Sequence, residues 1–159
     1  MDAAILGHIA RAAINVSHGD MATVQMATGG ALRLVASRGF KRDFLDYFEI
    51  VRSHESCCGA ALASREPVIV DDVRESPHFV GKPSQLPLLD AGSLSVVSVP
   101  IVSRRGVLLG VVSPHRRSLG RPKPADFSRL TWLASQAADV FEGTASLSTL
   151  RGIEVLARG

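Results

Sequence analysis

Aromatic residues are scarce in this chain: one tryptophan, one tyrosine and six phenylalanines make up 5% of its 159 positions. None is interleaved with a basic run, so the stacking platform that single-stranded nucleic acid requires is missing. Cysteine is confined to the adjacent pair Cys57 and Cys58. Neighbouring thiols cannot form a relaxed disulfide and give no disulfide framework. Apolar runs are only a few residues long, too short for a helix that crosses a bilayer. The first 20 residues lack a basic start followed by an apolar block, so no secretory signal is expected. No G-x-S-x-G, H-E-x-x-H, phosphate-binding loop or dinucleotide fingerprint occurs. A reduced, cytoplasmic setting with no membrane and no nucleic-acid partner is the resulting expectation.

Acid is missing from one long stretch. Between Ala91 and Ala125 there is no Asp or Glu, while Arg104, Arg105, Arg116, Arg117, Arg121 and Lys123 all fall there. The chain's net charge is only +3, so this stretch is locally basic against an acidic remainder. Such a patch attracts acidic partners, but it also reads as a solvated hairpin turn and strand end. Apolar residues are plentiful: Leu, Ile, Val and Phe number 47, enough for the core of one domain without staples.

The hydrophobic period divides the chain. Leu6, Ile9, Ala13 and Val16 share a helical face, which predicts a helix over 2–17. Residues 21–28 and 31–37 flank Gly29-Gly30, a hairpin signal. A second helix is expected over 41–52, with Phe44, Leu45, Phe48 and Val51 on one side, and a short one over 57–65. Pro67 opens a third strand running to Val73. Residues 74–92, with three prolines, form a long irregular segment with a helical turn near 86–90. A second hairpin follows, 93–103 and 107–115, turning at Arg104-Arg105-Gly106. Pro124 suits the first position of a long helix. Within it Phe127, Leu130, Ala134, Ala137 and Phe141 repeat like an a/d seam, a candidate dimer interface. The seam fails at Thr144, and Leu147, Leu150 and Ile153 suit a restart in another register. Hairpins with segregated helices define an α+β domain around an antiparallel sheet. The terminal helices would share one face, and the short helices and long loop would cover a pocket on the other.

Six stretches in this order carry a family resemblance. They are Gly30–Phe40, Cys58-Gly-Ala-Ala-Leu62, Val68–Val73, Ser98-Val-Pro-Ile-Val102, Gly110–His115 and Leu133–Asp139. Together they resemble the GAF domains of bacterial two-component sensor histidine kinases. The resemblance implies an α+β domain over 1–142, with a central antiparallel sheet of five or six strands. It also implies a cavity for an unidentified small molecule, with terminal helices that form a homodimer. These helices would carry a signal through a 143–159 extension or linker to a covalently attached output domain. The Cys-His pair of bilin-binding relatives is missing, because Gly59 follows Cys58. The Asn-Lys signature of cyclic-nucleotide relatives is missing too, because Val16 follows Asn15. The adjacent cysteines also differ from the separated ones of free methionine sulfoxide reductases, and no kinase catalytic region is present. No cofactor is named by any of this.

Candidate ligand residues follow from that picture. Phe48 and Phe79 are apolar covers or plain core. Cys57 and Cys58, at the start of a short helix, are redox sensors, nucleophiles of a thiol enzyme, or buried core residues. His54 and His78 add metal-ligand types, but the spacing fits no zinc knuckle, and no metal site is expected. Asp71 and Asp72 end the third strand on opposite faces, with Asp72 a pocket candidate. Ser98 shares a face with Val96, opposite to Val97 and Val99. His115 ends the fifth strand, within reach of a pocket or simply at the edge. A dimerisation module with a filled cavity is the third reading, beside sensor and thiol enzyme.

Overall fold

The structure, a computed structural model, describes residues 1–52 and 55–159. A helix α1 (Ala3–Ser17) opens the chain, with the Asp2 carboxylate accepting from the Ala4 N–H at 2.9 Å. That satisfies one of the donors a helix start leaves unpaired. His18 ends the helix in the left-handed region at φ 56°. Strands β1 (Met21–Thr28) and β2 (Ala31–Arg38) form the expected hairpin. Gly29 and Gly30 both have positive φ, as this two-residue turn requires. Then come α2 (Arg42–Tyr47), β3 (Ile50–Val51), α3 (Cys57–Ser64), β4 (Val68–Val70) and α4 (Gln85–Asp90). The chain finishes with β5 (Ser95–Val102), β6 (Leu108–Arg116), α5 (Pro124–Glu142) and α6 (Leu147–Arg158).

The described residues form one antiparallel sheet of order β3-β2-β1-β6-β5-β4. The α+β architecture, with helices on both sides, is as the sequence predicts. Two expectations give way. The helix foreseen over 41–52 stops at Tyr47, because Ile50 and Val51 pair with Arg33 and Leu32 as an edge strand. β-Branched residues favour that pleated site over another helical turn. The third strand is also shorter than expected and ends at Val70. The Asp72 carboxylate instead accepts from the backbone N–H of Arg74 at 2.9 Å and pairs with its guanidinium.

Each sheet face has its own core. On one face Ala22, Val24, Val97, Val99, Ile101 and Val112 meet α1 and α5, and α6 packs on those helices. On the other, Leu32, Val96 and Val111 meet α2, α3, α4 and the 71–84 loop through Phe44, Phe48, Phe79 and Leu88. Neighbouring strand residues therefore belong to different cores, as the period of two demands. The 127–141 stripe belongs to the first core: Leu130 and Ala137 are fully buried, and Phe127 and Phe141 pack against it. Its apolar side faces the chain's own sheet and α1, so this candidate dimer seam is occupied within the chain.

Two contacts lock the terminal helices. Asp126, buried in the first turn of α5, accepts from His18 Nδ1 at 2.9 Å and pairs with Arg129. The Asn15 side chain donates to the Leu156 carbonyl at 2.7 Å, closing the end of α6 against α1. Gly143, at φ 73°, stops α5 so that α6 can fold back. No helix among the described residues is long and apolar enough to cross a membrane.

Gly110 is the tightest point between layers. A Cβ there would lie 2.1 Å from the Gln25 carbonyl oxygen and 2.9 Å from the Phe141 ring. Gly110→Ala is predicted to cost about 3 kcal/mol or more by forcing strand and helix apart. Gly7 in α1 has nothing within 4 Å of its notional Cβ, so Gly7→Ala should stabilise by about 0.5–1 kcal/mol through helix propensity. Urea unfolding of the two variants checks both signs.

Candidate functional site

The second core encloses a cavity of about 20 Å³ beneath α2, α3 and the 71–84 loop. Its floor is unusually polar for a sheet face. From β1 come Thr23 and Gln25, from β5 Ser98, and from β6 Ser113 and His115, each at most 5% exposed. Its walls are Phe44, Phe48, Phe79, Leu88 and Val96, and α3 adds Ser56, Cys57 and Cys58. Phe48, Cys57, Cys58, Phe79, Ser98 and His115, all named from sequence, thus surround one space. Asp72 does not reach it, because the chain has already left the sheet. His78 does not line it either, and His54 lies outside the described residues. No cluster of metal-ligating side chains occurs among the described residues.

Pro114 marks a lapse in the β5–β6 ladder. The register runs Val96↔His115 and then Val99↔Val112, and Pro114 brings no N–H to the interval. There the Ser98 and Ser113 hydroxyls share a hydrogen bond of 2.7 Å. Next to it the Cys57 thiol donates to the Val68 carbonyl at 3.3 Å. Burial pushes Cys57 up to about 12, against hydrogen bonds from Ser98 that pull the other way. Cys58 is also raised by burial, and its sulfur shares a contact of 3.3 Å with the Ser56 hydroxyl. Ser56 caps α3 as well, accepting from the Gly59 N–H. Desolvation therefore outweighs the helix N-terminus, which alone would favour thiolates.

His115 is held neutral. Its Nδ1 and the Ser93 hydroxyl are 2.8 Å apart, and Phe40 and Phe44 lie edge-on to its ring. Burial lowers its pKa to about 3. Gln25, 1% exposed, has an Oε1 that accepts no hydrogen bond among the described residues. Sequence reading missed Thr23, Gln25 and Ser113. The available signal was polar residues recurring at period two, Thr23 and Gln25 between Ala22 and Val24, inside an apolar strand.

Outside the cavity, α2 separates it from two surface depressions. A groove of about 340 Å³ lies beyond Phe44, lined also by Lys41, Asp43, Tyr47, Asp90 and Arg117. A cleft of about 130 Å³ lies beyond Phe48. α2 has only six residues, and its Lys41 N-cap makes no side-chain bond. Half of the basic stretch is engaged in ion pairs: Arg104 with Asp139, Arg105 with Glu142, and Arg121 with Asp71.

The comparisons agree with this architecture. The family profile of the GAF domain matches residues 3–142. This chain belongs to the GAF domain family, whose members are ligand-sensing regulatory modules. No curated protein matches it at a significant level. Among solved structures it is similar to a GAF/HD domain protein from Geobacter sulfurreducens, with TM-score 0.72 and 21% identity over 89% of this chain and 93% of that one. It is also similar to a domain from Sinorhizobium meliloti assigned to a two-component sensor histidine kinase protein, with TM-score 0.65 and 18% identity over 84% and 86%. A third is the free methionine-R-sulfoxide reductase of Neisseria meningitidis, solved with its substrate, with TM-score 0.65 and 20% identity over 98% and 79%. Likeness at these identities concerns the fold.

Two solution properties follow. Thiol reagents at pH 8 should modify Cys57 and Cys58 only as fast as the fold opens, and both at once in denaturant; rapid labelling near pH 7 contradicts the burial argument. His115 makes stability acid-sensitive. Its folded pKa lies below the unfolded value, so the unfolded chain takes up a proton the native fold refuses. The stabilisation is complete above about pH 6.5 and is lost progressively as pH falls toward about 3. His115→Gln should flatten that dependence by roughly 2.5 kcal/mol at pH 4.5, read as the change in urea midpoint between pH 7 and 4.5.

Proposed function

We propose that this chain is the small-molecule-sensing module of a cytoplasmic signalling protein, a two-component sensor histidine kinase by its resemblance, and has no catalysis of its own. Occupancy of the cavity would bias the arrangement of the terminal helices, and residues 143–159 would connect them to an output domain. A ligand can do this only if it binds one arrangement better than the other.

The observation that carries this reading is the route through Gln25. Its side chain lines the cavity, while its carbonyl oxygen lies 2.1 Å and the Phe141 ring of α5 2.9 Å from where a Gly110 Cβ would be. A strand shift at the cavity therefore meets α5 within one residue. The thiol-enzyme reading finds less support, because both sulfurs are buried and shifted away from the reactive thiolate. A homodimer through the terminal helices would use the outward side of α5, where Trp132 is 49% exposed, since the inward side is already occupied.

The test is a metabolite library screened by thermal unfolding, followed by hydrogen exchange with each hit. A ligand at 100 times its dissociation constant adds about 2.7 kcal/mol, or roughly 5–10 °C for a domain of this size. Exchange should slow at 23–25 and 113–115 and change along α5 near Phe141. Protection confined to the cavity contradicts the coupling.

A further inference from the structure

The lining of the cavity restricts what can occupy it. No side chain of Asp, Glu, Lys or Arg lines it among the described residues. Its polar members, Thr23, Gln25, Ser56, Ser98, Ser113 and His115, are uncharged groups. An ion moved here would leave water and meet no counter-charge. Carboxylates, phosphates and ammonium groups are disfavoured in this inner space, because Lys41, Asp43, Asp90 and Arg117 line only the outer groove.

Most of the polar lining is already satisfied internally. Ser98 and Ser113 are bonded to each other, His115 Nδ1 to Ser93, and Ser56 to Cys58 and Gly59. Gln25 Oε1 differs: it is buried and accepts nothing among the described residues. An orphaned buried acceptor is destabilising, and a ligand carrying an N–H or O–H would satisfy it. The rest of the surroundings, Phe44, Phe48, Phe79 and Leu88, favours an apolar or aromatic body.

Size sets the last condition. A space of about 20 Å³ admits one water-sized centre, not a ring. Phe44 and Phe48 are the partition between it and the outer depressions of about 340 and about 130 Å³. Displacing the short, weakly capped α2 would remove that partition and merge the spaces.

Resting on the sensing function proposed above, we infer that the effector is an uncharged molecule with a ring-sized apolar body and one N–H or O–H group. That group donates to Gln25 Oε1, and the molecule enters as the Phe44–Phe48 segment moves aside.

Four probes of matched size test this: phenol, toluene, benzoate and benzylammonium, titrated into the intact chain and followed by amide chemical shifts and calorimetry. Phenol should shift the amides of Thr23, Gln25, Ser98 and Ser113 and bind about tenfold more tightly than toluene. Benzoate and benzylammonium should leave them unmoved. Gln25→Leu should reduce phenol to the toluene level, and Phe48→Ala, which removes part of the partition, should tighten both neutral probes. Equal binding of phenol and toluene to the unmodified chain overturns the donor requirement without using any variant. Benzoate or benzylammonium binding as well as phenol overturns the charge rule but leaves the sensing function standing. If no probe moves a cavity residue in either the unmodified chain or Phe48→Ala, the sensing function fails along with this inference.

Discussion

A sheet buried on both faces is the constraint on which this molecule depends. In the buried parts of β1, β5 and β6, residues alternate between the helical layer and the cavity layer. Ala22 and Val24 anchor α1 and α5 while Thr23 and Gln25 floor the cavity. Val112 sits with the helices, and Ser113 does not. At Gly110 the separation reduces to a backbone with no side chain at all.

The polar floor runs against the usual economy of a core. Serine, threonine, glutamine and histidine on the inner face of a sheet cost stability unless they are bonded. Most of them are bonded here, to each other or to nearby backbone, and His115 remains neutral because burial leaves no room for its charge. A region that served stability only would carry Val and Ile at those positions, as the opposite face does. The polar set fits the proposed sensing role, with Gln25 the member whose bonding is incomplete.

Much of the fold was legible from periodicity. The Gly-Gly hairpin, the opening helix and Pro124 at the head of α5 are signals that local chemistry fixes. The edge strand at Ile50–Val51 was not, because a 3.6-residue pattern continued through it and only pairing with β2 revealed otherwise. The 127–141 stripe showed the limit of pattern reading: a seam at heptad spacing describes an apolar face, but not whether a second chain or the chain's own sheet covers it. At the site, Cys57, Cys58, Phe48, Phe79, Ser98 and His115 were visible as unusual residues in suitable segments. Asp72 was misplaced because strand length is poorly set by sequence. Gln25 was missed because a polar residue inside a strand reads as a solvent-facing position until the second layer is known.

The central claim is that cavity and terminal helices are energetically one system joined at Gln25, Gly110 and Phe141. A double-mutant cycle on Gln25→Leu and Phe141→Leu, by urea unfolding, measures this directly. A coupling of at least about 0.5 kcal/mol between the two substitutions is expected. Effects that simply add, within about 0.3 kcal/mol, would show that the two faces of the sheet act independently.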